Sequence, residues 1–384
     1  MATRSFVNPF RFGALARDDA FTDRDDEIRE LSSDGRNGQD VVIFAPRRYG
    51  KTSLIDRVAQ KLVTSKDKIL VGQINLMKTP TKERLAAKLA AVVYEDFASV
   101  KGKLVERARI FAGLRVAPQI NVDPEDGSVA FSFGVGHAPE DIDATIERLF
   151  ELIAVQAADR GRRAVLVLDE FQEIVSIDEG LLKLMRSVFQ EQPDVGHIYL
   201  GSKRHMMERI FNDENEPYWR SAKHLELGPI PTDAFASFIV DRFAATDRRV
   251  ATEVVERILA TTHGHPYATQ QLCYFLWEET PLDKEADDGC YTTALEKVLR
   301  SEHTHFSSIW DKAATAQRAL LQALAHQPGH PLTAAYRTRH QLPSVATMQT
   351  AIKALERAEL VGRERGSVWI SEPFLAEWIK ANAE

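Results

Sequence analysis

From residue 41 to about 228, short apolar runs alternate with stretches in which apolar residues return every three or four positions. The runs are "VVIF" at 41, "ILVGQINL" at 69, "AVLVLDE" at 164, "HIYLGS" at 197 and "HLELG" at 224. Their nearly continuous apolar character marks strands buried on both faces, and the helical stretches between them supply the cover. Residues 82–97 place Leu85, Leu89, Val92 and Val93 on one helical face, and residues 141–159 do the same with Ile142, Ile146, Leu149 and Ile153. The pattern predicts an α/β fold built on a parallel sheet.

One segment breaks the rhythm. Val116, Ile120 and Val122, then Val129, Phe131, Phe133 and Val135, alternate around the turn "DPEDG", which predicts a β-hairpin inserted at about 113–136. Two readings are open for it: an extra edge hairpin packed on the sheet, or a partner-binding arm. Beyond residue 229 the periodicity is wholly helical to about 312, as in "TDAFASFIVDRFAAT". Residues 313–384 then read as a helix, a turn at "LPS", a second helix capped by Ser344, and a wing around Gly366. On that second helix Val345, Met348, Ile352 and Leu355 are expected to face the core, with Thr347, Gln349, Thr350 and Lys353 outward. The division is therefore an arm over 1–20, a core over 21–228, a helical region over 229–312 and a winged helix over 313–384. The acidic start of "FTDRDDEIREL" suits the first helix of the core.

Composition narrows the classes. A chain of 384 residues with 44% hydrophobic content can bury a large core. Absence of a long apolar run and of a secretory pattern leads us to expect no membrane segment and a cytoplasmic location. Cys273 and Cys290 are too few for a disulfide framework. A net charge of −7 argues against coating nucleic acid along the whole chain, and residues 313–384 carry eight Lys/Arg against six Asp/Glu, a balance of +2. DNA contact through Arg337, Arg339, Arg363 and Arg365 remains an alternative to a protein-contacting winged helix.

The stretch "VVIFAPRRYGKTSLIDRV" carries the sharpest chemistry. Ala45 through Thr52 fit Gly/Ala, four residues, then Gly-Lys-Ser/Thr, after an apolar strand and before a helix with Leu54, Ile55, Val58 and Leu62 on one face. The amides of 48–53 would converge at that helix N-terminus and cradle phosphate oxygens. Gly50 lets the backbone come close, Lys51 would place its ammonium between the β- and γ-phosphates, and the Thr52 hydroxyl would ligate Mg²⁺. Ala45, Pro46, Arg48, Tyr49 and Ser53 complete the nucleotide-contacting loop, with the Arg47 and Arg48 side chains read as solvated charges. "AVLVLDEFQEI" supplies the second half: Asp169 would hold the metal and Glu170 would orient or deprotonate water. Two acids after a strand can merely cap the next helix, but the pairing with a phosphate loop favours chemistry.

Other candidates are less specific. Ser202 ends a strand where it would sense a γ-phosphate, or is only a turn residue. Arg220 in "PYWRSAKHLELG" is placed to reach the γ-phosphate of a neighbouring subunit, or simply packs on Trp219. His265 and Pro266 open a helix, where Pro is ordinary. His303 and His305 fall on opposite helix faces, so no metal site is expected there.

In this order "NPFRFG", "FTDRDDEIREL", "APRRYGKTSL", the hairpin, "VLVLDEFQEI", "YLGSKRHMMERIF", "ELGPIP", "GHPYATQQL" and "VWISEPFLAEWIK" span nearly the whole chain. The chain resembles the AAA+/STAND-type P-loop ATPases of the predominantly archaeal ATPase family, which are related to origin-recognition-type initiators. The resemblance implies a five-stranded parallel core with the phosphate loop beside the Asp-Glu strand, a helical lid and a C-terminal winged helix. It also implies that Phe21 to Arg24 border adenine, that Ser202 is the first sensor in place of the usual Asn or Thr, that Arg220 is an arginine finger, and that His265 and Pro266 form a lid contact. The expected function is an ATP-binding, Mg²⁺-dependent ATPase that cycles between ATP and ADP, acts as a switch on a protein partner and can assemble with copies of itself. The alternative is an initiator-like factor that binds DNA through the winged helix.

Overall fold

The computed structural model describes residues 7–13, 21–97, 109–123, 125, 128–134 and 136–383. These group into two compact units.

The first unit comprises Arg24–Arg47 and Lys51–Leu227. Its sheet is formed by β1 (Val41–Phe44), β2 (Leu70–Asn75), β5 (Ala164–Asp169), β6 (Val195–Gly201) and β7 (Lys223–Glu226), all parallel, in the order β2-β5-β6-β1-β7. Every residue of β1 and β6 is buried, as strands covered on both faces require. The cover comes from α1 (Asp25–Asn37), α2 (Lys51–Thr64), α3 (Lys82–Val92), α4 (Pro139–Asp159), α5 (Ile174–Ile177), α6 (Gly180–Phe189) and α7 (Arg204–Asn212). The sheet order departs from the expectation that the phosphate loop stands beside the Asp-Glu strand, because β6 lies between β1 and β5.

The helix expected over 82–97 is α-helical only to Val92 and continues as a wider π turn over Val93–Phe97. That turn buries Val93, Tyr94 and Phe97 together. Gly72 on β2 receives them: a Cβ there would lie 2.4 Å from the Phe97 ring and 2.6 Å from Val92. The inserted hairpin exists, as β3 (Gln119–Val122) paired antiparallel with β4 (Val129–Ser132) and Ile120 opposite Phe131. It is a sheet of its own rather than an edge of the main sheet. It packs over α3, with the Phe131 ring 5.4 Å from Tyr94 and 5.3 Å from Phe111. Most of the predicted turn (124, 126 and 127), together with Val135, lies outside the described residues.

The second unit comprises residues 7–13 and 21–23, Arg48–Gly50 and Gly228–Glu384. It contains α8 (Thr232–Ala244), α9 (Thr252–Thr262), α10 (Pro266–Glu279), α11 (Asp288–Lys312), α12 (Thr315–His326), α13 (Ala334–Arg339), α14 (Val345–Arg357) and α15 (Pro373–Asn382). Two-residue strands β8 (Arg249–Val250) and β9 (Glu285–Ala286) tie its helices together, and β10 (Val361–Glu364) with β11 (Ser367–Ile370) forms the wing. One core runs from Phe235, Phe243 and Leu272 through Leu320 and Leu324 to Met348, Ile352 and Phe374, so the helical region and the winged helix are packed as one body. The arm contributes Phe10, which is 1% exposed against Phe238 and Phe243, while Asn8 Nδ2 donates to the Tyr274 carbonyl. Ser344 caps α14 as expected, accepting from the Thr347 amide. Val345 corrects one expectation. It is exposed, because it is the first residue of the helix and precedes the buried stripe that begins at Met348.

Candidate nucleotide site

The site begins where β1 turns into α2. Gly50 has φ +81 with nothing within 4 Å of a Cβ position, so this turn needs glycine for its backbone and leaves the space beside it open. α2 starts at Lys51 and buries Leu54, Ile55, Val58 and Leu62, which fixes its N-terminus at the end of β1. Lys51 is 7% exposed, and its ammonium donates to the carbonyls of Ala45 (2.9 Å) and Pro46 (3.0 Å). Thr52 and Ser53 follow in the first turn.

β5 brings the second half. Asp169 is its last residue and pairs in register with Asn75, the last residue of β2. Asp169 Oδ2 accepts from Asn75 Nδ2 at 2.9 Å and Oδ1 from the Glu170 amide at 3.0 Å. Burial, then the adjacent Glu170 charge, push the Asp169 carboxyl above the usual carboxylate range, while Lys51 and Asn75 pull it back. Lys51 and Asp169 therefore sense each other although β6 separates their strands. Glu170 stands in the left-handed region, φ 54 and ψ 48, at the entry to a single 3₁₀ turn over Phe171–Glu173. Its Oε2 accepts from Ser202 Oγ at 2.8 Å and from Gln172 Nε2 at 2.6 Å. Ser202 follows β6, the strand that stands between the other two. Lys203 pairs with Glu173 at 2.7 Å.

Thr52 and Asp169 are hard oxygen donors of the kind Mg²⁺ takes, and a carboxylate tied by one side-chain amide fits a metal bound largely through phosphate and water. Among the described residues, no group of three or more His, Cys, Asp and Glu could hold a metal ion alone.

Arg48 and Tyr49 have contacts within the second unit. The Arg48 guanidinium is exposed, as expected of a solvated charge, and also lies 4.2 Å over the Tyr267 ring and 3.7 Å from Glu372 Oε2. Tyr49 meets His265 edge-on at 4.7 Å. His265 is buried and caps α10, its Nδ1 accepting from the Ala268 amide, with Pro266 at the first helical position. Burial lowers its pKa to about 4, so it is neutral near pH 7. Glu372, at the start of α15, is raised to about 7, again by burial, which the Arg48 charge only partly offsets.

Arg24 is 5% exposed and immediately precedes α1, its guanidinium donating to Glu27 at 2.9 Å. Phe21 is half-buried. Arg220 is exposed, with φ 50, its guanidinium 5.1 Å from the centre of the Trp219 ring. His303 Nδ1 accepts from Trp378 Nε1, a packing role. Asn75 and Gln172 were missed from the sequence. Asn75 ends an apolar run as Asp169 does, and Gln172 lies inside the quoted "DEFQEI", but only strand register and turn geometry reveal what their amides reach.

Residues 21–272 match the model of an ATPase domain predominantly from Archaea, and residues 304–381 match a probable winged helix domain. No curated protein matches the chain. Among solved structures, the fold is similar to that of the Walker-type ATPase PABY2304 of Pyrococcus abyssi, at TM-score 0.65 and 14% identity over 95% of this chain and 97% of that one. It is also similar to the ORC2 protein of Aeropyrum pernix, in ADPNP-ADP complexes, at TM-score 0.55 and 12% identity over 97% of this chain and 98% of that one. These likenesses show the fold; the family match covers most of the chain, phosphate loop and Asp-Glu strand included. The chain is an ATPase and belongs to the family of ATPase domains found predominantly in Archaea.

Proposed function

We propose that ATP binding and hydrolysis here drive a molecular switch whose output is contact with a protein partner. The observation that carries the hydrolytic part is an Asp169 carboxylate held by Asn75 at the end of β5, next to a Glu170 fixed by its own hydrogen bonds. In this reading the amides of 48–53 and the Lys51 ammonium bind the phosphates, while Thr52 and Asp169 hold Mg²⁺. Bound Mg²⁺ supplies charge neutralisation on the phosphate oxygens. Glu170 accepts the proton of the attacking water, and Ser202 reports the γ-phosphate. Arg220, exposed and outside the Asp169 and Glu170 network, acts on a neighbouring copy.

The test is a pair of variants. Lys51→Ala loses nucleotide affinity by roughly 100-fold, whereas Glu170→Gln keeps affinity and loses turnover by roughly 100-fold, within the usual range for a general base. Unchanged turnover in both would remove the assigned roles.

The protein-partner reading is supported by the outward face of α14, where Thr347, Gln349 and Thr350 are exposed and uncharged. A second reading, DNA binding, is favoured by the wing, which exposes Arg363, Arg365 and Trp369. Gel-shift titration separates the two. Affinity that falls steeply between about 50 and 200 mM salt supports DNA, and no shift at the lower concentration supports the protein partner.

A further inference from the structure

Two donors meet one oxygen of Glu170, and they differ in freedom. Ser202 Oγ, at 2.8 Å, turns about a single bond and can leave. Gln172 Nε2, at 2.6 Å, cannot. Gln172 is 0% exposed, and it sits in a one-turn helix whose first residue, Phe171, is locked among Tyr199 (4.7 Å), Tyr218 (5.4 Å) and Phe211 (5.8 Å). Space for its amide is made by Gly201 at the end of β6, where a Cβ would come within 2.8 Å of Gln172 Oε1. Among the described residues Oε1 itself has no hydrogen-bond partner, although it is buried. A buried amide oxygen without a partner is costly. Leucine or methionine would fill the same space without that cost, so stability alone does not account for a glutamine here. The amide's other half explains it: the opposite orientation would turn its carbonyl toward the Glu170 carboxylate.

We propose that Gln172 is a positioning residue for hydrolysis: its buried amide fixes Oε2 of Glu170, so that Glu170 keeps one rotamer when Ser202 releases it. Among the described residues Oε1 of Glu170 receives no donor, which leaves that oxygen to take the proton from water. A base held in one orientation reacts faster than one that must find it, without binding the substrate more tightly.

This inference rests on Glu170 being the base, and its test separates the two. Gln172→Met is close in volume and removes both the donor and the unpartnered oxygen, so the fold is kept. Steady-state ATPase kinetics and equilibrium ATP binding are compared for Gln172→Met, Glu170→Gln and the double variant. The expected result is a fall in kcat of about tenfold or more for Gln172→Met with ATP affinity unchanged within about twofold, and no further fall when it is added to Glu170→Gln. A wild-type kcat in Gln172→Met, with Glu170→Gln inactive, overturns the role of Gln172 alone. So does a Gln172→Met loss that appears in full on top of the Glu170→Gln loss. Full turnover in Glu170→Gln overturns the base assignment and this inference with it. Gln172→Leu is the second variant: it has no donor in any protonation state, so it too lowers kcat, and a wild-type kcat in it counts against the proposal.

Discussion

Asn75 shows how much one amide can govern. It donates to Asp169 from the register position opposite it, and its own Oδ1 is fixed by the Met77 amide, so the donor points one way only. Because burial already raises Asp169 and this hydrogen bond opposes the rise, Asn75→Ala raises the carboxyl further. The ionised fraction of Asp169 then falls further as pH is lowered. The Mg²⁺ concentration for half-maximal turnover is expected to increase several-fold at pH 6 and less at pH 8, measured as ATPase rate against Mg²⁺ at both. Placement was legible where it is local in sequence: Lys51 and Thr52 fall at the start of α2, and Asp169 and Glu170 fall at the end of the apolar run of β5. Asn75 lies far from Asp169 along the chain, and Arg48 meets Tyr267 and Glu372 only through tertiary contacts. Neither relation has a trace in spacing or periodicity.

At the scale of elements, the wide turn after α3 depends on what β2 lacks at position 72. Gly72→Ala forces Phe97 and Val92 away and is expected to cost about 1–3 kcal/mol, the usual range for overpacking, read by chemical denaturation. The strands of the main sheet were legible because buried parallel strands are continuous apolar runs, and β1 falls on "VVIF" without a residue to spare. The hairpin was legible because alternation has period two. Where it docks was not, because alternation says that one face is covered and nothing about by what. The register of Phe131 against Tyr94 and Phe111 is a tertiary fact. Likewise the apolar spacing of residues 82–97 does not distinguish a helix that stays α from one that widens at Val93. Both lay apolar residues on the same side.

For the whole molecule, the pH dependence of stability is set in part by two groups of opposite sign in the second unit. His265 has a folded pKa of about 4 against the ordinary 6.5, so the unfolded chain takes up a proton first on acidification, and stability falls as pH drops through that window. The full effect is about 3 kcal/mol at most. Glu372 has a folded pKa of about 7 against the ordinary 4.5, so the unfolded chain ionises first, and stability falls as pH rises through that window. Between about 4.5 and 6.5 the two slopes oppose each other. Relative to wild type, His265→Asn is expected to gain melting temperature most near pH 5, whereas Glu372→Gln gains most at pH 7 and above. Melting curves of the full chain across pH 5 to 8 check both. The change from alternating strands and helices to helices alone falls near Gly228, where the second unit resumes. That the helical region and the winged helix share one core was not legible, since each has its own amphipathic pattern and the pattern does not say which faces meet.

The five tryptophans are unevenly shared between the units. Trp277, Trp310, Trp369 and Trp378 belong to the second unit, and Trp219 is alone in the first, 46% exposed, with the Arg220 guanidinium against its ring. The protein thus carries a native fluorophore next to the cation assigned to a neighbouring copy. If a second chain covers that position, the Trp219 emission shifts to the blue and becomes less open to iodide quenching, while the buried indoles of Trp277 and Trp378 keep their spectra.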